Sequence, residues 1–266
     1  MRDKDIQRVF EIADDSLQGI LGHYLYVLAL QSTSNVDKVL ESLPQDKFQM
    51  TFSWDRYYDK RDLVQAFTNK PIFEIYQARA SLTSIVTVFN VALNGFIEHL
   101  RTKGHKQKIG DTNFENCIKW AYEQLSPCDI GDTEAIKRLP VTFGILDNAR
   151  RLRNLIIHNQ GLFDDSYEKQ VIHFKDIAVE IHPNYSFYKA NPQKSTPVII
   201  DTGYFLRFSK AHLEVLHLLH NSIQKKYFGC QKAYDYLTEG KIIKWDTALW
   251  GSANVKIQFT DKSLEK

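Results

Sequence analysis

Apolar residues recur at spacings of three and four along most of this chain. Ile6, Val9, Phe10, Ala13, Leu17, Ile20, Leu21 and Tyr24 keep that rhythm and predict an amphipathic helix over residues 3–30. Ser34-Asn35 breaks it, and a short helix from Asp37 to Leu43 is expected before Pro44. The rhythm then changes. Phe48, Met50, Phe52 and Trp54 alternate with polar residues, which suits a short strand. Lys47, Arg56, Lys60 and Arg61 lie among these aromatics. Such interleaving can stack bases and hold phosphates, although a strand and turn packed on the next helix explains it as well.

The longest helical pattern runs over 72–103, through Leu82, Ile85, Val86, Phe89, Leu93, Phe96, Ile97 and Leu100, with Gly104 as its C-cap. Asp111 or Thr112 is expected to N-cap a helix reaching Leu125. A further helical stretch starts at Thr133, is interrupted at Pro140, resumes near Val141 and stops at Gly161. Pro183, Pro192 and Pro197 make 170–200 an irregular connection or hairpin. Residues 204–228 return to helix, and 231–266 form a mixed tail with Trp245 and Trp250. The expected architecture is mainly α: a four- or five-helix bundle with N-terminal and C-terminal accessory segments and a short irregular or β-hairpin insertion. The expected divisions are 1–71, 72–228 and 229–266.

Charge changes this picture little. Lys+Arg total 34 against 32 Asp+Glu, a formal +2, which excludes a globally polybasic nucleic-acid coat and leaves room for a local basic face. Cys117, Cys128 and Cys230 are odd in number and none are in C-x-x-C spacing. A reducing compartment without a structural zinc site is expected. The N-terminus carries acids and no apolar core segment, so no signal peptide is expected. The apolar run Ile85–Leu100 is broken by Thr87, Asn90, Asn94 and Glu98, so no membrane span is expected. The combined expectation is a cytoplasmic protein with no membrane partner. His212, His217 and His220 complete no zinc motif and read as helix-surface or interhelical residues, with no metal expected. There is no G-K-[ST] loop ending and no G-x-S-x-G. The Asp14-Asp15 pair reads as a solvated helix face.

The segment 147–161, DNARRLRNLIIHNQG, carries the candidate chemistry. On a wheel with Leu152 at zero, Ile145, Ala149, Leu155 and Ile156 fall within about 60° of it and form the expected core face. Arg153 lies at about 100°, Ile157 at about 140°, Arg150 at about 160°, Asn154 at about 200°, His158 at about 240° and Arg151 at about 260°. Three guanidinium groups within four residues repel one another, with Asp147 the one nearby carboxylate, so an anion such as phosphate is their natural partner. Cations beside an imidazole disfavour its charged form, which suits His158 to act as a base. Asn154, at i−4, is placed to orient it. Ile157 is an apolar residue on a polar face and is expected to be covered by another surface. Base, phosphate-holding cations and no metal are what cleavage of RNA by its own 2′-hydroxyl requires. A solvated basic face with an incidental histidine is the plainer alternative.

Arg153-Asn154-Leu155-Ile156-Ile157-His158 fits the Arg-x4-6-His signature of the HEPN superfamily, with the polar residue after Arg that its ribonuclease members favour. The bare pattern is loose, since Arg207 with His212 and Arg151 with His158 also fit. Its surroundings add to it. Residues 80–100 resemble the long first helix of the RiboL-PSP-like branch, 150–164 its motif helix and exit, and 204–223 its last helix, so the resemblance covers roughly 72–228. It implies a helical bundle that forms a homodimer, a composite cleft that cuts RNA without metal or cofactor, and a role as toxin or effector in antiphage or stress defence. An antitoxin or other defence-system protein is then a possible partner. Arg153 would hold the scissile phosphate and His158 would transfer protons. Arg150 and Arg151 would bind RNA backbone, Asn154 would orient, and Ile157 would lie in the dimer interface. The chain departs from the pattern at Asn90, where related first helices often carry an acid. It departs again at Gln160, where toxins paired with nucleotidyltransferase antitoxins carry Tyr. The resemblance also leaves a second function open, a non-catalytic bundle that binds RNA or protein as scaffold or sensor.

Overall fold

The computed structural model describes residues 3–33, 50–51, 57–58, 70–107, 109, 111–125, 133–170, 172, 197–200 and 202–229. The expected helix 37–43, most of the expected strand, most of the 170–200 connection, Cys128, Cys230 and the tail 231–266 lie outside them. The described residues form α1 (Lys4–Thr33), β1 (Met50–Thr51), β2 (Tyr57–Tyr58), α2 (Lys70–Thr102), α3 (Phe114–Gln124), α4 (Thr133–His158), α5 (Ser166–Lys169) and α6 (Thr202–Phe228). The protein is mainly helical, and a bundle built on the long helices accounts for its core.

The caps explain where the helices begin and end. Asp3 Oδ1 accepts the N–H groups of Ile6 (3.0 Å) and Asp5 (3.1 Å), two donors that the first turn of α1 leaves without helical acceptors. Burial pushes the Asp3 carboxyl up. The Ile6 N–H, His99, Lys103 and the Asp5 N–H outweigh that and hold it below the usual carboxylate range. α2 ends as expected at Gly104, whose φ of +83° carries the chain out of the helix. Gly104 N–H donates to Arg101 C=O and His105 N–H to Leu100 C=O, the paired bonds of a glycine-terminated helix. α3 is capped one or two residues later than expected. Asn113, not Asp111 or Thr112, accepts Asn116 N–H at 2.9 Å. The expected break at Pro140 is absent, and α4 runs through it. Proline costs a helix one hydrogen bond and a steric clash, and the burial of Leu139, Phe143 and Leu146 around this point outweighs that cost.

α1 was expected as an accessory element, but it is part of the bundle. Ile6, Phe10, Leu17, Leu21 and Tyr24 are buried in the same cluster as Leu82, Phe89, Phe96 of α2 and Phe205, Leu216, Leu219 of α6. The Asp14-Asp15 reading holds for the exposed Asp15 and needs correction for Asp14. Asp14 is buried, lies 2.9 Å from His217 Nε2 and accepts from Gln18 Nε2 at 2.8 Å. Phe10 stacks on His220 at 4.2 Å between ring centres, and His212 meets the edge of Phe89. The α6 histidines therefore join helices. Among the described residues one stretch, Ile75–Thr102, is longer than the apolar run read from the sequence and is long and apolar enough to cross a membrane by length and composition, with half of its apolar window buried in the bundle. The expected strand appears in part, as Met50–Thr51 paired antiparallel with Tyr57–Tyr58.

Burial holds the fully enclosed His212 at about 4, opposed in part by its Nδ1 hydrogen bond to Phe208 C=O. The unfolded histidine takes up a proton near pH 6.5, whereas the folded one does not until near pH 4. Stability therefore falls as pH drops from 6.5 to 4, by on the order of 3 kcal/mol from this group. Urea denaturation at pH 7 and pH 5 should show the loss, and His212→Leu should flatten that dependence. An equal slope in the variant would contradict it.

Candidate nucleic-acid interface on the motif helix

The C-terminal half of α4 carries the charged residues singled out above, and the structure divides them. Asp147, Arg150 and Arg151 are buried, with 2%, 5% and 2% of their surface exposed. Arg150 donates from Nε (3.0 Å) and Nη2 (2.7 Å) to Asp147 Oδ1, and also reaches the Gln170 carbonyl. Arg151 Nε lies 3.2 Å from Asp147 Oδ2, an ion-pair contact without hydrogen-bond alignment. Its Nη1 donates to Tyr167 C=O at 2.9 Å, and its guanidinium lies 4.3 Å from the Tyr167 ring centre. Ile172 N–H completes the carboxylate at 3.1 Å.

This placement corrects the expectation that Arg150 and Arg151 bind RNA. The reason is helical geometry. Asp147 precedes them by three and four residues, and on the same wheel it falls at about 220°, between the two. The carboxylate answers the repulsion that an external phosphate was expected to answer. The three groups instead fasten the segment after α4 to the helix, since their remaining partners lie at Tyr167, Gln170 and Ile172. Tyr167 adds an O–H donated to Asn148 Oδ1.

The exit of α4 is tied down separately. Gln160 (φ +55°) and Gly161 (φ +73°) reverse the chain, and Gly161 N–H donates back to Leu155 C=O. Arg79 of α2 donates to the carbonyls of Val198 and Gly161, and a Cβ at 161 would stand 2.6 Å from its Nη1. Side chain and backbone both require glycine there.

The other residues remain accessible. Arg153 is half-buried and makes one hydrogen bond, from Nη1 to Asn154 Oδ1 at 3.3 Å, with no carboxylate paired to it among the described residues. His158, the last residue of α4, is exposed and makes no hydrogen bond or ion pair among the described residues. Ile157 beside it is 44% exposed. Asn154 does not orient His158. Its carboxamide is engaged by Arg153 and by Gln170 Oε1 (3.4 Å). Five residues of helix place His158 about 7.5 Å beyond Arg153 along the axis and about 140° around it.

Arg153 and Asn154 open onto a cleft of about 390 Å³ that sequence reasoning did not foresee. Thr87 and Asn90 of α2, and Asn113 and Glu115 at the start of α3, form its other polar walls. No local pattern announces it, because its three helices meet only in the fold. Glu115 is paired with Lys119 at 2.6 Å, and Arg150 with Asp147, so Arg153 is the cleft's uncompensated cation among the described residues.

The division of the arginines has a measurable consequence. Asp147→Ala leaves two buried guanidinium groups without their carboxylate and should cost about 3–5 kcal/mol in urea denaturation. Arg153→Ala should change stability by no more than about 0.5 kcal/mol. Equal costs would contradict the assignment. No family model, characterised protein or solved structure matches this chain.

Proposed function

We propose that this protein is a metal-independent endoribonuclease of the HEPN type that acts as a homodimer, with Arg153 and His158 as its reacting pair. The observation that carries the reading is the selective exposure on α4. In its C-terminal half, Arg150 and Arg151 are bound to an internal carboxylate, while the Arg153 guanidinium and the His158 imidazole have no charged partner among the described residues. In this mechanism the His158 imidazole removes the 2′-hydroxyl proton. The 2′-oxygen attacks the adjacent phosphorus, the bond to the 5′-oxygen breaks, and that oxygen takes a proton from an imidazolium. Arg153 holds the non-bridging oxygens as negative charge builds on them. The products are a 2′,3′-cyclic phosphate and a 5′-hydroxyl.

A second copy answers the separation of Arg153 from His158. Two motif helices facing each other across a two-fold axis bring Arg153 of one copy towards His158 of the other, and Ile157 gains an apolar cover. The resemblance adds an effector role in antiphage or stress defence, in the cytoplasm, with an antitoxin or other defence-system protein as possible partner.

The test is RNA cleavage in EDTA. Wild-type protein should yield fragments ending in a 2′,3′-cyclic phosphate. His158→Ala should lose at least about a hundredfold in rate, in line with general acid–base catalysis, with unchanged thermal stability. Undiminished cleavage by the variant would remove His158 from the mechanism. RNA binding that survives in the variant, with no cleavage by either protein, would favour the scaffold reading.

A further inference from the structure

We infer that Gln170 is a positioning residue that aims the Arg153 guanidinium through Asn154, a role that rests on the ribonuclease reading for the reaction it serves.

Successive residues on a helix point about 100° apart, so Arg153 and Asn154 do not face each other by default. The Arg153 stem nevertheless brings Nη1 to 3.3 Å from Asn154 Oδ1. A guanidinium carries donors only, so it bonds the oxygen of a carboxamide and not the amine. Which end of Asn154 faces Arg153 is settled at its other end, where Nδ2 donates to Gln170 Oε1 at 3.4 Å. An acceptor there holds the amine on that side and turns the oxygen towards Arg153.

Gln170 is itself fastened to α4. Its backbone carbonyl accepts from Arg150 Nη2, and two residues on, Ile172 N–H donates to Asp147 Oδ2 at 3.1 Å. Arg150 and Asn154 stand one helical turn apart, at i and i+4, so a residue laid over that turn meets both. Gln170 does so with its backbone on Arg150 and its side chain on Asn154. A continuous set of hydrogen bonds thus runs from the buried Asp147 to the half-buried Arg153. Both intermediate side chains are neutral amides. They restrict the rotamers of a long side chain without neutralising it, as a carboxylate in either place would. With Nη1 steered by Asn154, Nε and Nη2 keep the parallel pair of N–H bonds that meets two phosphate oxygens.

Gln170→Met keeps the length of the side chain and the backbone carbonyl that Arg150 uses, and removes the acceptor. In RNA cleavage in EDTA it should lower kcat by about tenfold, less than outright loss of a stabilising donor, with the melting temperature unchanged. KM should stay within about twofold, because charge on the non-bridging oxygens builds only in the transition state. In an Arg153→Ala background the same substitution should cost no more than about twofold, since its route to the reaction is already gone. A residue that only braces the fold would lower the rate equally in both backgrounds, and that result would overturn the role. So would an unchanged kcat, or a loss accompanied by a lower melting temperature. A second readout needs no RNA. Phenylglyoxal modification of Arg153, followed by mass spectrometry, should run about threefold faster in Gln170→Met, as one weak hydrogen bond is released. Faster modification in a protein that cleaves no RNA would sustain the positioning and sink the nuclease. Equal modification rates in the two proteins would overturn the positioning whatever the cleavage assay gives.

Discussion

A single buried carboxylate, Asp147, organises the C-terminal half of α4 and the chain that follows it. Placing charge in a protein interior costs several kcal/mol per ion unless it is paired and hydrogen-bonded. Asp147 meets that demand with two guanidinium groups and a backbone N–H. Two cations against one anion leave an excess positive charge. The carbonyl oxygens of Tyr167 and Gln170 and the face of the Tyr167 ring take it up. Each of these compensating groups belongs to the chain that follows α4. The same electrostatic requirement that permits burial thus holds Tyr167, Gln170 and Ile172 over the helix.

That arrangement sets what the motif helix can present outward. With Arg150 and Arg151 spent on Asp147, Arg153 on the face towards the cleft has no carboxylate partner and His158 at the helix end has no side-chain partner among the described residues. A rigid support beneath and a small number of open groups above would suit the phosphate-holding role proposed for Arg153. The tie between Arg79 and the Gly161 and Val198 carbonyls fixes the exit of the helix and so the position of His158, three residues earlier.

The helices were legible because burial on one side of a helix writes itself into the sequence at every third or fourth position. α2 and α6 show this well, and the Gly104 stop was legible from glycine's tolerance of positive φ. Other features depended on tertiary contacts. The membership of α1 in the core needs its partners, and its own pattern says only that one face is covered. The break expected at Pro140 follows from local cost alone, and the packing that offsets it is tertiary. The arginines differ for another reason. Their mutual repulsion points to an external anion only until Asp147, three and four residues earlier, is set on the wheel between them. The cleft beside Arg153 has no local signature, since its three helices meet only in the fold.

Arg150 and Arg151 on the one hand and Arg153 on the other are of two kinds, and their chemical reactivity measures this directly. Native protein treated briefly with phenylglyoxal and mapped by mass spectrometry should be modified at Arg153 and protected at Arg150 and Arg151, with protection lost in urea. Reaction at Arg150 and Arg151 as fast as at Arg153 in the folded protein would contradict the account.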